Sequence, residues 1–130
     1  MTILNSLNHA NHNYSACNYM TKKQEYCDWI ITIAFYSAVH FVRHKLLPYQ
    51  DMGTTYNTFD SLFKTKKEIG EGRHGFQLRY VKDEIPEISF EYARLHEWST
   101  NARYINYNYG RDDSKKAKEY LDKIKETCCK

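Results

Sequence analysis

Three features of this 130-residue sequence predict an all-α fold, a bundle of five to six helices. Glycine and proline are scarce, at five and two, and such weak punctuation favours long helices over many short strands. The segment from Trp29 to Val42 is apolar nearly all round, the pattern of a helix in the middle of a bundle. Elsewhere apolar residues recur at helical spacing: Leu7, Ala10, Tyr14 and Cys17; Ile88, Tyr92, Leu95, Ser99 and Ala102; Ala117, Tyr120, Leu121, Ile124 and Cys128.

The elements follow in order. Leu4 to Met20 is polar but spaced for a first helix. Thr21 opens a second, which runs to about Leu47 and stops at Pro48, because proline disfavours helical geometry in the residue before it. Tyr49 to Asn57 reads as a loop, with no strand signal. Thr58 to Glu68 reads as a short helix carrying Phe59, Leu62 and Phe63. The glycines of "GEGRHGF" make a turn or hinge, and Phe76 to Ile85 a further short helix. Pro86 suits the first turn of the next helix, "EISFEYARLHEWSTNARY". Asn106 to Gly110 is a polar aromatic loop. Asp112, Asp113 and Ser114 cap the last helix and place negative charge at its start.

Length allows one domain, residues 1–130, and leaves no room for two ordinary cores. A hydrophobic fraction of 42% against 27% charged is a globular balance. The net charge of +3 permits a phosphate-bearing partner without demanding one. The four cysteines, with an adjacent pair at the end and no C-x-x-C, read as reduced thiols of a cytoplasmic protein. No signal peptide is visible. The longest apolar run, about 14 residues, is too short and too polar to span a bilayer.

Polar residues inside apolar helices mark the candidate site. Tyr36, His40 and Arg43 share one face of the second helix at i, i+4, i+7. They read either as the wall of an inter-helix cavity or as hydrogen-bonded core groups. Ser99 and Arg103 are i, i+4 on a later helix, with Tyr92 and His96 one or two turns earlier. Arg73, His74 and Arg79 flank the glycine break, where a mobile loop could close over an anion or be an ordinary charged turn. His9, His12 and Cys17 have loose metal-ligand character but lack a partner at diagnostic spacing, so no metal or cofactor is assigned. No phosphate-cradling glycine motif, nucleophile elbow or zinc-finger pattern occurs.

Taken together these segments resemble the HEPN family (higher eukaryotes and prokaryotes nucleotide-binding). "DWIITIAFYSAVHFVRHKLL" is similar to its central helix, with a D-W-x4-A-F-Y-x-A-x-H pattern. "ANHNY" resembles the His-Asn of the first helix, "GRHGFQLRYV" the His-then-Arg element, "YARLHEWSTNARY" the Y-x-x-L-x3-S-x-x-A-R-Y element, and "DDSKKAKEYLDKI" the closing helix. The resemblance covers nearly the whole chain. It implies a HEPN-like up-and-down four-helix core with one or two additional helices, and a homodimer with a cleft at its interface. It also implies nucleotide or RNA binding in toxin–antitoxin or anti-phage defence, with a cognate antitoxin or a nucleotidyltransferase as partner.

Ribonuclease members of that family carry an R-x(4–6)-H motif, which this sequence lacks. The residues matching the family pattern are Tyr36, His40, His74, Arg79, Ser99 and Arg103, with Asn13 and Tyr104 beside them. Binding without cleavage is therefore the first expectation, with Arg79 and Arg103 holding phosphate and Tyr36 or Tyr104 stacking on a base. A metal-independent endoribonuclease is the alternative, with His40 or His74 as acid or base and Arg103 stabilising the phosphorane. A non-catalytic protein-interaction module is the second alternative. Arg43 and His44 are assigned to the point where the second helix leaves the core.

Overall fold

The structure, a computed structural model, describes residues 5–130. It contains six α-helices and one small hairpin. Helix α1 (Ser6–Lys23) starts at Asn5, whose side chain accepts the Asn8 N–H at 2.8 Å. It ends at Gln24, which takes the left-handed conformation (φ 52°) and donates its N–H to the Met20 and Thr21 carbonyls. The expected boundary at Thr21 is corrected: its hydroxyl donates back to the Cys17 carbonyl at 2.7 Å, inside the helix. Such back-bonding is the other use a helical threonine makes of its hydroxyl.

Three residues link α1 to α2 (Cys27–Leu46). Helix α2 is the centre of the molecule and packs against α1, α5 (Ser89–Tyr104) and α6 (Arg111–Cys128). Twelve of its residues are buried, which requires neighbours on most sides. Ala10 and Ala38 are fully buried at closely packed positions, and the Ser37 hydroxyl donates to the Ala10 carbonyl of α1 at 2.9 Å. A small residue lets the two backbones approach within a hydroxyl's reach. Leu47 is extended (φ −104°, ψ 142°), as a residue before proline should be.

The segment expected to be a loop contains an antiparallel hairpin, β1 (Tyr49–Asp51) and β2 (Thr54–Tyr56). Its turn residues Met52 and Gly53 both have positive φ, 50° and 84°. Two positive φ values are what a tight two-residue hairpin turn needs. Methionine is an unusual residue there, so the sequence carried no Asn-Gly or Asp-Gly signal.

Helix α3 (Phe59–Lys66) begins where expected, with the Thr58 hydroxyl accepting the Ser61 N–H at 3.1 Å. Helix α4 (Arg73–Glu84) begins earlier than expected, and His74 and Gly75 lie within its first turn. The hinge shrinks to the residues around Gly70 (φ 79°) and Gly72, the N-cap. A single 3-10 turn, Pro86–Ile88, leads into α5. Helix α6 is capped by Gly110 rather than by the expected acidic residues. The Asp113 carboxylate instead accepts the Gly110 N–H at 3.0 Å from the third helical position. Ile88, Tyr92, Leu95, Ser99 and Ala102 are all buried, as their spacing predicts. Buried residues of every helix join one contiguous core. Among the described residues, no helix is long and apolar enough to cross a membrane.

Candidate functional site

Helices α2, α4 and α5 bring the rings of Tyr36, His74, Tyr92 and His96 around the buried ring of Phe35. Phe35 faces the core, and its neighbour Tyr36 stands at the core's edge. His74 comes from the first turn of α4; His96, Ser99 and Arg103 come from α5 at i, i+3, i+7, so they share one face. The His74 and His96 rings each lie 5.3 Å from Phe35 and 5.7 Å from one another. Tyr36 is 6.2 Å from His74, edge-on.

Arg103 closes this group. Its Nη1 donates to the Tyr36 hydroxyl at 2.5 Å, and its Nε donates to the Ser99 carbonyl at 3.1 Å. The guanidinium lies 5.0 Å from the Tyr104 ring centroid, within cation–π range. The Ser99 side chain itself is fully buried and donates to the His96 carbonyl at 3.0 Å. Ser99 therefore positions Arg103 through its backbone rather than meeting a ligand through its hydroxyl.

Both histidines are pushed below the ordinary imidazole range. For His74 burial is the main cause, followed by His96, Arg103 and Arg43. For His96 burial leads and Arg103 follows. A neutral imidazole at pH 7 can accept a proton or a hydrogen bond, and two such rings beside a guanidinium fit an anionic ligand with acidic protons.

Two shallow grooves flank the Tyr36–Arg103 contact. One, of about 430 Å³, is lined by Asn13, Met20, Trp29, Thr32, Ile33 and Tyr36. The other, of about 310 Å³, is lined by Asp28, Trp29, Thr32, Ala102, Arg103 and Tyr107. Trp29 borders both and is 55% exposed; Tyr104 and Tyr107 are exposed by 74% and 73%. Large rings open to solvent beside a guanidinium are potential stacking surfaces for a planar ligand. Asp28 is the acidic residue among those lining the two grooves.

Four of the eight residues expected in the site gather here directly: Tyr36, His74, Arg103 and Tyr104. Asn13 lines the first groove together with Tyr36. His40 and Arg79 have other partners. The His40 ring stacks on His9 of α1, with centroids 3.7 Å apart and planes 16° apart. Its pKa is pushed down to about 4, by burial first, then by His9 and Arg43. Arg79 is engaged by Glu71 through two contacts of 3.0 Å, by Glu68 at 3.3 Å and by the Lys66 carbonyl. His74 and Arg79 are five residues apart on a regular helix, about 140° around it. The expectation of a mobile loop carrying both over an anion is thereby corrected.

Arg43 is corrected too. It is half-buried, donates from Nε to the Gln77 side chain at 2.9 Å, and lies 3.9 Å over Phe59, so it does not leave for solvent. Of the metal-ligand candidates, His12 is exposed on α1, and Cys17 is buried with its thiol against the Ile30 carbonyl. Sequence reasoning left three neighbours out of the site: His96, Trp29 and Tyr107. His96 sits at i−3 from Ser99 and Trp29 at i−7 from Tyr36, so both had a helical-face signal. Tyr107 lies in a loop and had none. Comparison of this chain with protein-family models, with curated proteins and with solved structures finds no match.

Proposed function

We propose that this chain is a HEPN-like protein that binds a nucleotide or a single-stranded RNA end on the face formed by Tyr36, His74, His96 and Arg103. The observation that carries the reading is the Arg103 guanidinium held against Tyr36, with two half-buried imidazoles behind it and exposed Trp29, Tyr104 and Tyr107 around it. The arginine supplies charge and directed N–H donors for phosphate, and the rings supply faces for a base. Tyr36, His74 and Arg103 come from three separate motif segments, "AFYSAVH", "GRHGF" and "STNARY", which supports the family reading on geometric grounds. The implied homodimer and a defence-system setting belong to the same proposal; sedimentation of the purified chain would separate a dimer from a monomer.

Thermal titration tests the binding. A nucleotide or short RNA present at 100 times its dissociation constant should stabilise the chain by about 2.7 kcal/mol. The Arg103→Gln variant should lose that response. Equal responses from the two proteins would refute the assignment.

One observation favours metal-independent RNA cleavage as a second reading. His74 and His96 form a pair 5.7 Å apart beside Arg103, and a base, an acid and a cation are what 2′-hydroxyl attack requires. Incubation of the purified chain with RNA in the presence of a chelator decides it. Cleavage abolished by His74→Ala and by His96→Ala supports this reading, and intact RNA rejects it.

A further inference from the structure

A second cavity, of about 480 Å³, opens at another end of α2. Its lining comes from three elements: Asn5, Ser6 and Leu7 at the start of α1, Arg43 and His44 near the end of α2, and Thr58 and Phe59 at the start of α3. Arg43 is the charged group at its wall. One of its five N–H donors goes to the Gln77 side chain, and its plane covers Phe59 at 3.9 Å. Gln77 is itself buried and is fixed by donating to the Val39 carbonyl at 2.9 Å, so the guanidinium is held from behind.

Among the described residues the Arg43 guanidinium makes one hydrogen bond, to Gln77, and no ion pair with a carboxylate. The contrast with the other arginines of this region is direct. Arg73 pairs with Asp60 and Arg79 with Glu71 and Glu68. Charged groups removed from water are ordinarily paired, because an unpaired one costs its desolvation with no return. Asp60, the nearest acid on α3, is already taken by Arg73 and Lys64. The cavity also borders the N-caps of α1 and α3, Asn5 and Thr58, whose side chains accept the Asn8 and Ser61 N–H groups.

We propose that this cavity is a phosphate-binding site, with Arg43 as its principal ligand and His44 at its rim. The site shares no lining residue with the two grooves of the Tyr36–Arg103 face, although His74 feels the charge of both Arg43 and Arg103. The ligand chemistry is a tetrahedral oxyanion, free or at the end of a larger molecule. A tetrahedral oxyanion can meet the guanidinium donors and a group at the rim together, whereas a planar carboxylate is satisfied by two parallel guanidinium donors.

Titration of the full chain with inorganic phosphate at constant ionic strength, read as a thermal shift and by calorimetry, tests this. Phosphate should stabilise the wild type where chloride does not. Arg43→Met keeps the apolar contact with Phe59 and should weaken phosphate binding at least about tenfold, the usual range for losing charged hydrogen bonds. The loss caused by Arg43→Met should recur in an Arg103→Gln background, where any phosphate held on the Tyr36–Arg103 face is already lost, so a failure here is distinguishable from a failure of the proposed function. A phosphate response retained in full by Arg43→Met overturns the proposal. If Arg43→Met does not fold, crystals of the wild type soaked in tungstate decide it: anomalous density between Arg43 and Thr58 upholds the site, and its absence rejects it. A nucleoside 5′-monophosphate that binds much more tightly than inorganic phosphate would show the phosphate to be the handle of a larger ligand. Equal affinity would show a site for the free anion.

Discussion

The Arg103 guanidinium donates to the Tyr36 hydroxyl across 67 residues of chain. That bond ties the end of α5 to the middle of α2, on the side of the bundle where α4 contributes His74. Tyr36→Phe removes the acceptor and leaves the ring. It should cost about 1–2 kcal/mol of stability, as expected for a hydrogen bond to a charged group at a partly buried site. It should also reduce nucleotide affinity by freeing Arg103 to rotate. Paired urea melts and nucleotide titrations of wild type and variant measure both effects. A variant as stable and as tight-binding as the wild type would mean that the bond carries neither role.

Phe35 links core and site. It is fully buried and touches Tyr36, His74, Tyr92 and His96. Phe35→Ala should destabilise the fold by about 3–5 kcal/mol through the cavity it leaves. The milder Phe35→Leu should fold and yet move the titrations of His74 and His96 toward ordinary imidazole values, because water then reaches both rings. NMR titration of the histidine ring protons is the measurement. Unchanged His74 and His96 titrations in Phe35→Leu would remove Phe35 from the account of their environment.

The histidines also set an acid sensitivity. His40 is neutral in the folded chain down to about pH 4, because burial opposes its charge, whereas an unfolded histidine protonates near its ordinary pKa of about 6.5. Between those values the unfolded state binds a proton that the folded state refuses, so stability falls as pH falls through that window. His74 and His96 are shifted in the same direction and add to the slope. His40→Phe keeps a flat ring against His9 and removes one titrating group. Its loss of stability between pH 7 and pH 4.5 should be smaller than that of the wild type. Denaturant midpoints at three pH values test this, and identical slopes would exclude His40 as a contributor.

Thiol chemistry should sort the cysteines by burial. Cys129 is exposed, while Cys17, Cys27 and Cys128 are buried. Burial pushes the Cys17 thiol up to about 11 and, with help from Cys129, the Cys128 thiol up to about 12. The thiolate is the reactive form, so these two are inert while the chain is folded. A colorimetric thiol reagent at pH 8 should react quickly with Cys129 and with the buried three only after denaturant is added. Rapid modification of Cys17 in the native chain would contradict its placement.

Much of the architecture was legible because it depends on periodicity. Ile88 of the 3-10 turn and four α5 residues, all chosen by spacing alone, are buried, and α3 starts at the Thr58 boundary that its apolar run predicted. The start of α4 was not legible, because Gly75 looks like a breaker. In the helix its missing side chain would meet only the Glu71 side chain, at 3.9 Å, so nothing in the packing demands glycine there. The hairpin was hidden for the opposite reason: Met52 takes a left-handed conformation that its side chain does not advertise.

For the site, the sequence by itself determined which helix faces carry polar groups. Tyr36 and His40 had to share a face of α2, and Ser99 and Arg103 a face of α5, because side chains three or four apart on a helix lie together. Which neighbour each face meets was decided only by tertiary packing. Helix α2 is enclosed by α1, α5 and α6, so two residues one turn apart on it face different helices. Tyr36 reaches Arg103 of α5, and His40 lies flat on His9 of α1. A helix periodicity specifies direction around one axis; the identity of what stands in that direction depends on how several axes pack together.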